Sequence, residues 1–212
     1  MKNVPIIFEN ADYIVLNKPA GLAVQGGAGI TVSVDSLLAM ERDPRPLLVH
    51  RLDKETSGLL LVAKHKQAAA DFSRFLGAGG VSKYYRALCA GTTDHDSGCI
   101  RIPLDIRGTL KKAETSYRLL AAGGGYSLLE LELGTGRMHQ IRRHLAQTGT
   151  PIIGDDRYGD FSLNKQLKIR KLLLYAARIL IPEIALDVSV EAPPFFSTSF
   201  EKLLTTMSAI QI

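Results

Sequence analysis

Short apolar runs broken by glycine, proline and acidic turns dominate the first half of the chain. Ile6–Phe8 and Tyr13–Leu16 are β-branched and aliphatic, with the turn-forming Glu9-Asn10-Ala11-Asp12 between them, so two strands are predicted. Lys18-Pro19-Ala20-Gly21 ends the second run, and Leu22–Val24 reads as a further short strand. Val34, Leu37 and Leu38 recur at helical spacing within Val32–Met40, which predicts a helix stopped by Asp43-Pro44-Arg45-Pro46. Leu47–Val49 and Leu59–Ala63 read as buried strands on either side of a polar loop. Ala68–Leu76 reads as a helix ending at Gly77, and Tyr84–Cys89 as a strand.

The second half opens with a polar, basic stretch over 92–116, read as a hairpin insertion or a joint between two halves of one domain. Tyr126–Leu133 alternates as a strand does. Met138–Gln147 is predicted to be a helix, with Met138, Ile141 and Leu145 on one face and Gly149 as its stop. Leu172–Ile181 and Leu186–Val190 read as strands, and Phe200–Met207 as a short closing helix. No internal repeat appears. Strands outnumber helices and do not alternate regularly with them. An α+β fold with a mixed, mainly antiparallel sheet and flanking helices is therefore expected.

Composition narrows the function classes. The 212 residues include 46% hydrophobic and 22% charged residues, which suits a single globular domain over 1–212 and excludes a disordered or collagen-like chain. Cys89 and Cys99 form neither a disulfide framework nor a CxxC pair, so a reducing, cytoplasmic setting is expected. Acidic residues interrupt the N-terminal segment where a signal peptide needs an apolar run, and no stretch is long enough to cross a bilayer. The net charge of +5 points mildly to a polyanionic partner.

Several chemistries find no support. Gln25-Gly26-Gly27-Ala28-Gly29 lacks the third glycine of a dinucleotide loop and reads as a surface turn, and no GxxxxGK[ST] occurs. His139 and His144 are five apart and point to different helix faces, and HExxH is absent, so no metal is expected. There is no GxSxG elbow. Two polar segments stand out instead. His50-Arg51-Leu52-Asp53-Lys54-Glu55-Thr56-Ser57-Gly58 lies between two apolar strands, where sites are commonly built. Gly134–His144 carries three arginines, two histidines and no acid at a glycine-led helix start, a pattern suited to anions. Either segment taken alone is also compatible with a solvated surface. So is the acid-free set Lys165, Lys168, Arg170, Lys171 and Arg178.

HRLDKETSG at 50–58 closely resembles the central motif of the RluA-type pseudouridine synthases. DYIVLNKPAG at 12–21 resembles the opening strand and loop of that family, and KYYRA at 83–87 its Lys-x-Tyr-x-Ala strand. GRMHQIRRHLAQTGTPIIGDDRYG at 136–159 is similar to its third motif. LLLYA at 172–176 and Ala192-Pro193-Pro194 resemble its closing elements. The blocks occur in the family's order. Met138 and Tyr175 depart from it, standing where relatives often have a small hydroxyl residue and His.

The resemblance implies a pseudouridine synthase catalytic fold and isomerisation of uridine to pseudouridine in structured RNA, ribosomal or transfer, without a cofactor. It places the catalytic aspartate at Asp53. A carboxylate there can add to the sugar C1′ or remove the 2′ proton while uracil leaves, and the residues leave both routes open. The resemblance also implies an aromatic stacking residue at Tyr85 and a cationic partner for the aspartate at Arg142. Arg51 resembles the position that fills the space of a flipped base. Lys54, Arg137, His139, Gln140 and Arg143 are implied RNA contacts. With only a short segment ahead of residue 12, the chain resembles the compact branch that has no N-terminal RNA-binding domain, and a monomer is expected. A catalytically silent RNA-binding module is the alternative, against which the intact Asp53, Tyr85 and Arg142 argue.

Overall fold

In the computed structural model, which describes residues 4–208 and side chains as far as residue 203, most of the apolar runs become strands. In chain order these are β1 (Ile6–Glu9), β2 (Tyr13–Lys18), α1 (Val34–Glu41), β3 (Leu47–Leu48), β4 (Ser57–Ala63), α2 (Lys66–Gly77) and β5 (Ser82–Ala90). There follow β6 (Ser97–Ile100), β7 (Leu104–Ile106), β8 (Thr109–Lys111), β9 (Thr115–Gly123), β10 (Tyr126–Leu133), α3 (Gln140–Gln147) and α4 (Phe161–Leu167). β11 (Leu174–Ile181), a 3-10 turn (Pro182–Ile184), β12 (Leu186–Ser189) and α5 (Pro194–Ser208) close the chain. The strands pair mostly antiparallel and helices flank them, so the fold is α+β as the pattern predicts. The chain falls into two compact units, one built from 4–83 with 176–191 and the other from 84–175 with the segment from 192 onward.

In the first unit the strand order is β1-β2-β4-β11, with β3 on β4 and β12 on β11. The β1–β2 turn forms because the Asn10 side chain accepts the N–H groups of Asp12 and Tyr13, a local substitute for backbone pairing. Every residue of β4 is buried, which explains its unbroken apolar sequence. On α2, Ala68, Phe72 and Phe75 recur on one face, and that helix packs on β3 and β4. Gly58 sits at φ +101°, and a Cβ there would overlap the Ala176 backbone, so only glycine lets β4 lie this close to β11.

In the second unit the order is β5-β10-β9-β6, with β7 and β8 as a separate hairpin. The alternation predicted for Tyr126–Leu133 is present, since Ser127, Leu129 and Leu131 are buried. α3 packs on β9, and Phe196 of α5 meets the Tyr175 ring edge to face at 4.9 Å.

Two local readings change, and two elements go unread in the pattern. Leu22–Val24 makes only a single bridge, because the Ala23 and Val24 carbonyls accept the first N–H groups of α1 instead. The helix read from Met138 begins at Gln140, because His139 is left-handed (φ 52°), and Met138 is exposed instead of lying on the apolar face. The acid-free run begins at Lys165 in the last turn of α4, a helix whose start is capped by Asp160 accepting from Leu163 N–H. β9, which the pattern leaves unread, is held between β10 and β6.

Candidate active site

Asp53 opens a tight turn between β3 and β4, where its carbonyl accepts Thr56 N–H at 3.2 Å. Two pins hold that turn. The Lys54 carbonyl accepts Gly21 N–H at 2.9 Å and the Lys18 ammonium at 3.0 Å. Lys18 is fully buried at the end of β2 and also donates to the Pro19 and Leu22 carbonyls, so its three N–H groups meet three oxygens. Burial lowers its pKa to about 8, even though the charges of Glu55 and Asp53 act to raise it. It is an ammonium at neutral pH, and that form alone has three donors for three acceptors.

His50 anchors the other end of the loop. Its Nε2 accepts Leu61 N–H at 3.0 Å, continuing the β3–β4 edge with a side chain, and its ring stacks on Phe72. Burial, reinforced by the nearby Lys83 charge, pushes its pKa down to about 3. The ring is therefore neutral, and with Nε2 accepting, its proton belongs on Nδ1. Asp53 is half-buried, and Arg51 and Lys54 are exposed on either side of it.

Arg142, on α3, is buried at 3% exposure and grips Asp155 with two bonds of 2.7 Å, from Nε to Oδ2 and from Nη2 to Oδ1. Its Nη2 also meets Asp156 at 3.0 Å, and its guanidinium lies 5.3 Å from the centre of the Tyr158 ring. Burial would raise the Asp155 carboxyl. The Arg142 fork and the N–H groups of Arg157 and Tyr158 outweigh that and hold it below the usual carboxylate range. Tyr85 is buried on β5, cross-strand from Leu131.

The remaining predicted residues are more varied. Arg137 is exposed and donates to the Lys112 carbonyl, while Arg143 donates to the Asp105 carbonyl at the β7–β8 hairpin. His139 Nδ1 meets the Tyr158 hydroxyl at 3.1 Å. Gln140 is buried. Its oxygen accepts from Thr135 and from Arg137 N–H, and its nitrogen donates to Glu114 and Thr115, so its amide orders the turn leading into α3. Sequence reasoning passed over Lys18, His50 and Asp155. The signal for Lys18 is a cation ending the apolar run Tyr13–Leu16, and for Asp155 the acidic pair Asp155-Asp156 after Ile152-Ile153.

Among the described residues no helix is long and apolar enough to cross a membrane, and no cluster of His, Cys, Asp or Glu is arranged to hold a metal. Residues 12–147 match the family described as RNA pseudouridylate synthase. A ribosomal large subunit pseudouridine synthase C of Vibrio cholerae is 35% identical over 95% of this chain and 69% of its own length. The enzyme of that name from Escherichia coli K12 is 35% identical over 89% of this chain and 66% of its own. Human RNA pseudouridylate synthase domain containing 4 superposes with a TM-score of 0.82 at 26% identity, covering 94% of this chain and 92% of that one. Human RNA pseudouridylate synthase domain containing 1 superposes with a TM-score of 0.77 at 25% identity. The HRLD turn on its two pins, the arginine on α3 and a match that spans both compact units agree: the chain belongs to the RNA pseudouridylate synthase family, in its RluA-type branch.

Proposed function

We propose that this chain isomerises uridine to pseudouridine in large-subunit ribosomal RNA, with Asp53 as the catalytic carboxylate. The observation that carries the reading is the Asp53–Thr56 turn, held by a buried ammonium in a loop whose sequence is the family's central motif. Fixing the turn holds the backbone that carries the carboxylate, so less reorganisation accompanies the reaction. Attack at C1′ or removal of the 2′ proton breaks the N1–C1′ bond. The uracil leaves with the electron pair of that bond and turns, and its C5 bonds to C1′ as the carboxylate leaves that carbon or, on the second route, as C2′ takes back its proton; the C5 proton is then lost and N1 takes one up, which restores the ring. Atoms and electrons balance without a redox partner. Tyr85 supplies an aromatic face for the base, and Arg142 a positive charge that Asp155 holds in place. Arg51 fills the space left by the flipped nucleotide. Lys54, Arg137, His139 and Arg143 contact phosphates, whereas the amide of Gln140 serves the protein. The enzyme acts as a monomer in the cytoplasm.

The test is pseudouridine mapping on large-subunit ribosomal RNA transcribed in vitro and treated with purified protein, with transfer RNA alongside. New pseudouridine in the ribosomal RNA is expected from the wild type and none from Asp53→Asn, which keeps nearly full RNA affinity because phosphate contacts dominate binding. More than a few percent of wild-type activity in Asp53→Asn overturns the assignment. Modification of the transfer RNA alone overturns the substrate.

A further inference from the structure

Buried cations need partners, because the water they lose is not replaced by apolar surroundings. In the first unit Lys18 meets three carbonyls, Arg42 forks onto Glu9, and Lys64 reaches Glu9 and the Asn10 carbonyl. Lys83, near the start of β5, differs. It is half-buried and has no hydrogen-bond or ion-pair partner among the described residues. Burial alone depresses its pKa. Its charge acts on the buried ring of His50, which anchors the loop carrying Asp53. Side chains alternate along a strand, so Lys83 shares a face of β5 with Tyr85, while Tyr84 takes the other.

We propose that the Lys83 ammonium is a substrate contact that pairs with a phosphate group of the bound RNA beside the target nucleotide. The inference rests on the RNA reading above. A phosphate fits better than the uracil, because a compact, strongly hydrated ammonium that has lost water is matched by a full negative charge, whereas ground-state uracil is neutral. The position beside the target follows from the face of β5 that Lys83 shares with Tyr85.

The experiment compares wild type, Lys83→Gln and Lys83→Arg in the full chain, using large-subunit ribosomal RNA transcribed in vitro as the probe. Affinity is measured over a series of potassium chloride concentrations. Lys83→Gln should weaken binding about tenfold at low salt and flatten the log–log salt slope by about 0.7–0.9, one phosphate contact. KM should rise more than kcat falls, and Lys83→Arg should restore most of the affinity. The melting temperature of Lys83→Gln should not drop, since no protein partner is lost. An unchanged salt slope overturns the proposal, and so does a lowered melting temperature with a matching loss of kcat, which would make Lys83 a structural residue. A wild type that makes no pseudouridine in this RNA would sink the functional reading. An active wild type with an unchanged slope in Lys83→Gln would remove only the Lys83 contact.

Discussion

Lys18 at the end of β2 and Arg142 on α3 are both buried cations, and the two compact units hold them by opposite means. Lys18 meets only neutral carbonyls, so desolvation wins and its pKa falls to about 8. Arg142 meets two carboxylates, one of them buried, and there the attraction wins, since Asp155 titrates below the usual range despite its burial. The first arrangement fixes a backbone turn. A rigid point charge with three donors is suited to gathering carbonyls from separate segments, here Pro19, Leu22 and Lys54. The second fixes a side chain, because a planar fork matched to a carboxylate has one good orientation. In one unit a cation positions the chain around Asp53, and in the other an anion positions a cation.

The sharpest way to break this contrast is Arg142→Ala. It leaves the Asp155 carboxylate buried and unpaired, and it should cost about 3–5 kcal/mol of stability, read by denaturant unfolding, with at least a hundredfold loss of rate. Arg142→Lys should recover little, because an ammonium cannot make the two parallel bonds to Asp155. Full recovery by lysine would show that charge alone matters there.

Lys18→Met comes next. Its volume is similar, so the cost comes from carbonyls left without a donor, about 1–3 kcal/mol. The Lys54 carbonyl keeps Gly21 N–H, which moderates the loss. Turnover should fall because the Asp53 turn loses one of its two pins. A stability loss equal to that of Arg142→Ala would erase the distinction between neutral and charged partners.

Proton linkage separates the two sites by pH. The folded pKa of Lys18, about 8, lies below its ordinary value of 10.5, so between these values the unfolded chain binds more protons and stability rises with pH. Lys18→Met should lack that rise. Asp155 works at the acid end. Its folded pKa is lowered, so its contribution is present above the ordinary carboxylate range and is lost as pH falls through and below it. The stability gap between wild type and Asp155→Asn should therefore close in acid. His50, with a folded pKa of about 3, adds to the acid loss because it must be charged on unfolding below its ordinary 6.5. Melting curves across pH for wild type, Lys18→Met and Asp155→Asn check the signs for Lys18 and Asp155.

The smallest effect belongs to Arg143→Ala. Its neighbour Arg142 is buried in an ion pair, while Arg143 makes one exposed bond to the Asp105 carbonyl. A change within about 0.5 kcal/mol is expected, together with a flatter salt dependence of RNA binding if the residue contacts phosphate. A rate loss matching that of Arg142→Ala would contradict the assignment of the two arginines.

The strands in Tyr13–Leu16, Leu59–Ala63 and Tyr126–Leu133 were legible in the chain because hydrophobic runs and alternation register burial directly. So was the motif carrying Asp53, since nine contiguous residues need no tertiary information. Boundaries that depend on a single φ, such as the left-handed His139 that delays α3, leave no trace in hydrophobic periodicity. A segment whose carbonyls serve a helix instead of a sheet, as Leu22–Val24 does, looks like a strand until its partners are known.

By itself the chain determined an α+β class and the family, because those depend on local pattern and on contiguous motifs. Only the tertiary structure decided what holds the residues of those motifs. Lys18 reaches Lys54 across 36 positions, and Arg142 reaches Asp155 across 13. Leu61 N–H finds the His50 ring because β4 runs back past β3. Such partners are set by strand pairing and by desolvation, which depend on what surrounds a group after folding and not on its neighbours along the chain.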